Sequence, residues 1–146
     1  MHALLDVKVL VVLLDAMHVQ HRAAAAAAGW LAAHVQLGWA SCPLTQNGRT
    51  RILSLAGHRK AQSPATDLQR LGEAATGGKH EFLPDSVSLL DAGRTQWDHV
   101  PTSRQVTDVD LLALVVSHGG WLVILGRAIG VKCVAGAQAK HLLTLG

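Results

Sequence analysis

Short apolar runs separated by stretches of helical spacing recur along this chain, and that alternation constrains its fold more than any other feature. WLVIL (residues 121–125) is the clearest case: an apolar run too short for a helix and bounded by glycines on both sides. Residues 3–6 read as a buried strand, with VLVVLLD (residues 9–15) running on into a first helix. GWASCP (residues 38–43) reads as a second strand stopped by Pro43, and Glu81-Phe82-Leu83 as another before Pro84. Between them, the Ala-rich segment from His18 to Val35 favours helix, with Gly29 as its weak point. Residues 44–55 place Leu44, Ile52 and Leu55 on one helical face, and Gly57 to Ser63 reads as a basic loop. Pro64 fits the first turn of a helix that runs to Ala75 and is ended by Gly77-Gly78. SVSLLDAG (residues 86–93) reads as a short helix, and Asp98 to Pro101 as a strand or loop edge. Thr107 is expected to cap a helix that starts near Asp108 and stops at His118-Gly119-Gly120. Strands and helices alternating at this spacing form βαβ units, hence an α/β fold with a parallel sheet covered on both faces.

A chain of 146 residues is expected to form one domain, burying roughly two thirds of its unfolded surface. Only 3% of the residues are aromatic, so Ala, Leu and Val must make the core. The formal charge of +3 permits a nucleic-acid substrate without demanding one. Cys42 and Cys133 are too few for a disulfide framework and indicate a reducing compartment. The apolar N-terminal run is interrupted by Asp6, Lys8 and Asp15 and lacks a basic region or cleavage signal. The stretch from Leu111 to Leu125 is too short for a membrane span and contains His118-Gly119-Gly120. A soluble cytoplasmic protein with no membrane association is the expectation.

Asp6 and Asp108 each sit beside the end of an apolar run. A carboxylate there is costly to desolvate and is usually matched by a cation, a helix cap or a metal. Both can converge at one end of a parallel sheet, where open α/β folds place their ligand sites.

Four segments, LLDVKVLVVLLD, GWASCPLTQNGRTRILS, SVSLLD and TSRQVTDVDLLALVVSHGGWLVILGRAI, occur in this order. Together they resemble the PIN-domain ribonucleases, in particular the VapC toxins of bacterial VapBC toxin–antitoxin pairs, over essentially the whole chain. The resemblance implies a single PIN domain spanning residues 1–146, an α/β/α sandwich around a five-stranded parallel sheet. Acidic residues at the strand C-terminal ends would hold Mg²⁺ or Mn²⁺ and hydrolyse RNA. Asp6 matches the family's first acidic position and Asp108 its third, so the resemblance makes both catalytic metal ligands, with Thr107 supporting the metal shell. It also implies an RNA substrate, a VapB-like antitoxin partner and a homodimer. Hard cations such as Mg²⁺ fit this choice, since they take carboxylate oxygens and retain several waters.

The chain departs from the family pattern at several positions. Lys8 stands where a small polar residue is usual. Gly126, in Leu125-Gly126-Arg127, replaces a fourth acid. Gln46 lies near the second acidic position, and Arg49 and Thr50 stand at usually apolar positions. Asp110 is an extra acid, but two residues beyond Asp108 it points to another side of a helix. These departures leave a second reading open: a degenerate PIN domain that binds antitoxin or RNA with little catalysis. A plain α/β binding module without metal is a third.

Other residues have plainer expected roles. His18 and His21 lack partners for a zinc site and are read as a solvated helix face. Arg49, Arg51, Arg59 and Lys60 form a basic cluster, read as solvated surface or as phosphate contacts. Cys42 is expected to be a packed thiol on a strand, and Trp30, Trp39, Trp97 and Trp121 to lie in the core or a dimer interface.

Overall fold

The computed structural model describes residues 3–14, 22–57, 61–126 and 128–146. His18, His21, Arg59 and Lys60 lie outside the described residues. The strands are β1 (Ala3–Leu5), β2 (Trp39–Ser41), β3 (His80–Phe82), β4 (Trp121–Leu125) and β5 (Leu142–Leu145). The helices are α1 (Val7–Leu14), α2 (Arg22–His34), α3 (Pro43–Ser54), α4 (Pro64–Gly77) and α5 (Val106–His118). The strands pair in the order β3-β2-β1-β4-β5, and every pairing is parallel.

Side chains on neighbouring strand positions enter two separate cores, as the pleat requires. Leu4 of β1 and Leu122 and Ile124 of β4 pack with Leu111, Leu112 and Leu114 of α5. Ala3 and Leu5 of β1 and Val123 of β4 pack with Val9 and Leu10 of α1 and Leu31 of α2. Burial on both faces is why these strands read as unbroken apolar runs rather than as alternating ones. The result is the expected α/β/α sandwich.

Helix ends follow local chemistry. Pro43 opens α3, Ser63 accepts the N–H of Thr66 to cap α4, and Gly119, at φ 72°, ends α5 in the left-handed region.

Several local expectations are corrected. Residues 86–93 form turns, not a helix: the Ser88 N–H donates to Asp91 Oδ2 at 3.0 Å and the Leu90 N–H to Ser88 Oγ at 3.0 Å. Ser and Asp side chains here take backbone donors that a helix would have used. Of the two readings for residues 98–101, the loop edge holds and the strand does not; a 3₁₀ turn covers Trp97–His99, and the neighbouring Thr95 makes an isolated bridge to Val134. Thr107 does not cap α5. A 3₁₀ turn at Ser103–Gln105 runs straight into the helix, Gln105 occupies the cap position, and Thr107 lies exposed in the first turn. Cys42 follows β2 as the N-cap residue of α3 and is fully buried, with the Thr45 hydroxyl donating towards its sulfur. Of the tryptophans, Trp39 is in the core, Trp30 and Trp121 pack against it, and Trp97 is 37% exposed.

Candidate metal centre

In a parallel sheet every crossover helix begins at the strands' C-terminal edge, so the starts of α1, α3 and α5 gather there. The strand order reverses between β1 and β4, which makes the end of β1 the switch point of the sheet. Asp6 occupies this point. Its N–H continues the ladder by donating to Val123 O at 3.0 Å, while its Oδ1 accepts the Val9 N–H at 2.7 Å. Asp6 therefore ends the strand and caps α1 at once. It is 4% exposed.

Gly48 lets α3 approach beside it: a Cβ at that position would meet Val7 Cγ2 at 2.6 Å. The first turn of α5 brings Asp108 to the same place. A cavity of about 350 Å³ opens between these elements, lined by Asp6, Val7 and Lys8 around the start of α1, by Thr107 and Asp108 at the start of α5 and by Arg104 in the 3₁₀ turn before it. Leu44, Asn47, Gly48, Arg51 and Ile52 of α3, with Leu55 and Leu125, complete the lining. The two aspartates singled out in the sequence thus share one cavity.

The electrostatics agree with that geometry. Burial pushes the Asp6 carboxyl up from its ordinary 3.8 to about 7; the nearby charge of Asp108 adds to the rise, while the N–H groups of Val9 and Leu125 and the Lys8 ammonium oppose it. Burial likewise raises Asp108, against the pull of Lys8. Lys8 itself is exposed at the cavity.

Two carboxyl groups lining one cavity offer hard oxygen donors of the kind a divalent metal takes. Among the described residues no group of three His, Cys, Asp or Glu side chains could hold a metal. Such an ion would therefore take two carboxylates from the protein and fill its remaining positions with other oxygens, as Mg²⁺ commonly does with water. Asn47 and Thr107 are the neutral oxygen-bearing side chains in the lining.

The remaining candidates are placed elsewhere. Gln46 turns to β2, its Nε2 donating to Ser41 Oγ at 2.9 Å. Gly126 has φ 103° and only open space where a side chain would begin. Asp110 is half-buried outside the cavity, its carboxyl raised by burial and by Asp85. Arg49 is corrected most sharply: it is not part of a solvated cluster but 1% exposed, its Nη1 paired with Asp67 Oδ2 at 2.7 Å and its Nε donating to Leu10 O at 3.1 Å. Among the described members of that cluster, Arg51 is the exposed one and lines the cavity. Asn47 and Arg104 escaped the sequence reading. Asn47 could have been found from the helical face it shares with Leu44, Arg51 and Leu55; Arg104 carries no such signal.

No family model matches the chain. Individual relatives do. It is 41% identical over 145 residues to "Ribonuclease VapC44" of Mycobacterium tuberculosis, covering 99% of this chain and 100% of the relative. It is 36% identical over 137 residues to "Ribonuclease VapC39" of the same organism, covering 93% and 96%. "Ribonuclease VapC29" is 40% identical over 129 residues, covering 88% and 89%. With its five-stranded parallel sheet and identity extending along nearly its whole length, the chain belongs to the VapC ribonuclease family.

Proposed function

We propose that this protein is a Mg²⁺-dependent endoribonuclease toxin of a toxin–antitoxin pair, with Asp6 and Asp108 as the metal ligands. The observation that carries the reading is the meeting of these two carboxylates in one cavity at the switch point of the sheet. The relatives' shared name, ribonuclease, supports cleavage over mere binding of RNA or antitoxin. Mn²⁺ suits the same oxygens.

When bound, the metal would make a water more acidic for attack on a phosphodiester and offset charge on the phosphoryl oxygens. The chain's own residues prepare for this. The Val9 N–H fixes the orientation of the Asp6 carboxylate, so little ordering remains for ligand binding. Lys8 favours the ionised forms of both aspartates. Thr107, next to Asp108, offers a hydroxyl at the cavity wall. The other partners proposed, from family membership, are a VapB-like antitoxin over the cavity mouth and a second copy of the chain, all in the cytoplasm. No helix among the described residues is long and apolar enough to cross a membrane.

The test is cleavage of RNA by the purified protein with Mg²⁺, with Mn²⁺ and with EDTA. Cleavage in either metal that EDTA abolishes is the expected result; cleavage undiminished by EDTA would remove the metal from the reading.

A further inference from the structure

The cavity carries more fixed positive than negative charge. Lys8, Arg51 and Arg104 line it from three different elements, against Asp6 and Asp108. All three cations are exposed, whereas Asp6 is buried and Asp108 half-buried. A polyanion approaching from solvent therefore meets the cations before it meets the carboxylates. Arg51 stands on α3 and Arg104 just before α5, so they border the cavity from two sides, with Lys8 beside Asp6 at the start of α1. A guanidinium presents a planar fork suited to phosphate oxygens, and an ammonium acts as a compact charge.

We propose that Lys8, Arg51 and Arg104 form a phosphate-holding rim that binds single-stranded RNA without the metal, leaving the metal for cleavage alone. The proposal rests on the reading that this cavity takes RNA, and it assigns Lys8 the role of a positioning residue for the strand. Each exposed phosphate contact releases bound counterions, so the affinity for a single strand should fall with salt by a logarithmic slope of about 0.7 per contact.

The experiment is fluorescence anisotropy of a labelled 2′-O-methyl RNA oligonucleotide in EDTA across a salt series. The native chain should bind, and Lys8→Gln, Arg51→Gln and Arg104→Gln should each weaken binding and lower the salt slope by about 0.7. Lys8→Arg should retain the slope. Lys79→Gln, an exposed lysine before β3 at the opposite edge of the sheet, should change neither quantity. Asp108→Asn should bind as tightly as the native chain or tighter, because it removes an anion from the cavity.

Absence of binding in EDTA overturns the proposal, as do rim variants that match Lys79→Gln. Displacement of the oligonucleotide by an equal charge concentration of poly-glutamate peptide also overturns it, in favour of an acidic protein partner. Failure of the metal reading shows separately, as an Asp108→Asn chain that still cleaves RNA while the rim variants still weaken binding.

Discussion

Asp6 caps α1 through Val9 and at the same time lines the cavity with Asp108, so the helix-cap and metal-ligand readings of this residue are compatible. Its partner is the better target for mutation, because Asp108 makes no cap. Asp108→Asn should abolish RNA cleavage with the fold intact, and it should let the Asp6 carboxyl titrate lower by removing the neighbouring charge. Carbon-detected NMR titration of Asp6 reads the second effect; an unmoved Asp6 would mean the two carboxylates do not interact. Lys8 favours the ionised carboxylates and also competes with a divalent ion for them. Lys8→Asn should therefore tighten Mn²⁺ more than tenfold if about 1.4 kcal/mol of competition is relieved, and calorimetry of both chains checks it. Equal affinities would place the ammonium away from the bound ion. Restoring an acid at Gly126 is a poorer route: φ 103° strains any L residue there, so Gly126→Asp should lower the unfolding midpoint.

At the level of elements, the Arg49–Asp67 pair ties α3 to α4, and Arg49 also reaches the Leu10 carbonyl of α1. Both charged groups are buried, so removing Arg49 strands the Asp67 carboxylate. Arg49→Met alone should cost roughly 3–5 kcal/mol in urea unfolding, while adding Asp67→Leu to it should recover part of that loss. Additive losses in the double variant would contradict a direct pair. The same pair shows what the sequence hides: eighteen positions separate its members, and nothing local marks an arginine as buried. Legible elements were those whose signal is local. Strands β1, β2 and β4 are buried on both faces and bounded by glycine, proline or polar residues, and α4 carries Ser63 and Pro64 at its start. β5 escaped because it is a half-buried edge strand, with Thr144 interrupting its apolar run. Residues 86–93 misled because Val87, Leu89 and Leu90 have helical spacing, while Ser88 and Asp91 hold the turn that forms. Asp6 and Asp108 were legible as carboxylates beside apolar ends; Asn47 was marked only by the helical face it shares with Leu44 and Leu55, and Arg104 by nothing local, since it owes its place in the site to tertiary structure alone.

For the whole molecule, the parallel topology sets both where the site lies and what it costs. Gathering helix starts at one sheet edge buries Asp6, and its carboxyl sits at about 7 instead of 3.8. Between those values the folded chain holds a proton that the unfolded chain has released. This contribution to stability is therefore full below the ordinary carboxylate range and is lost as pH rises through about 7. The rise corresponds to roughly 4 kcal/mol at most. Metal-free protein should be more stable to urea near pH 5.5 than near pH 8, by about that order or less, and Asp6→Asn should flatten the difference. A divalent ion should reverse the trend, because it favours the ionised carboxylate. The most direct test of the central claim is calorimetric titration of Mn²⁺ into the native chain, Asp6→Asn and Asp108→Asn at neutral pH. The account predicts one site per chain in the native protein, with proton release on binding, and a more than tenfold loss of affinity in each variant. Native-like binding by both variants would contradict it.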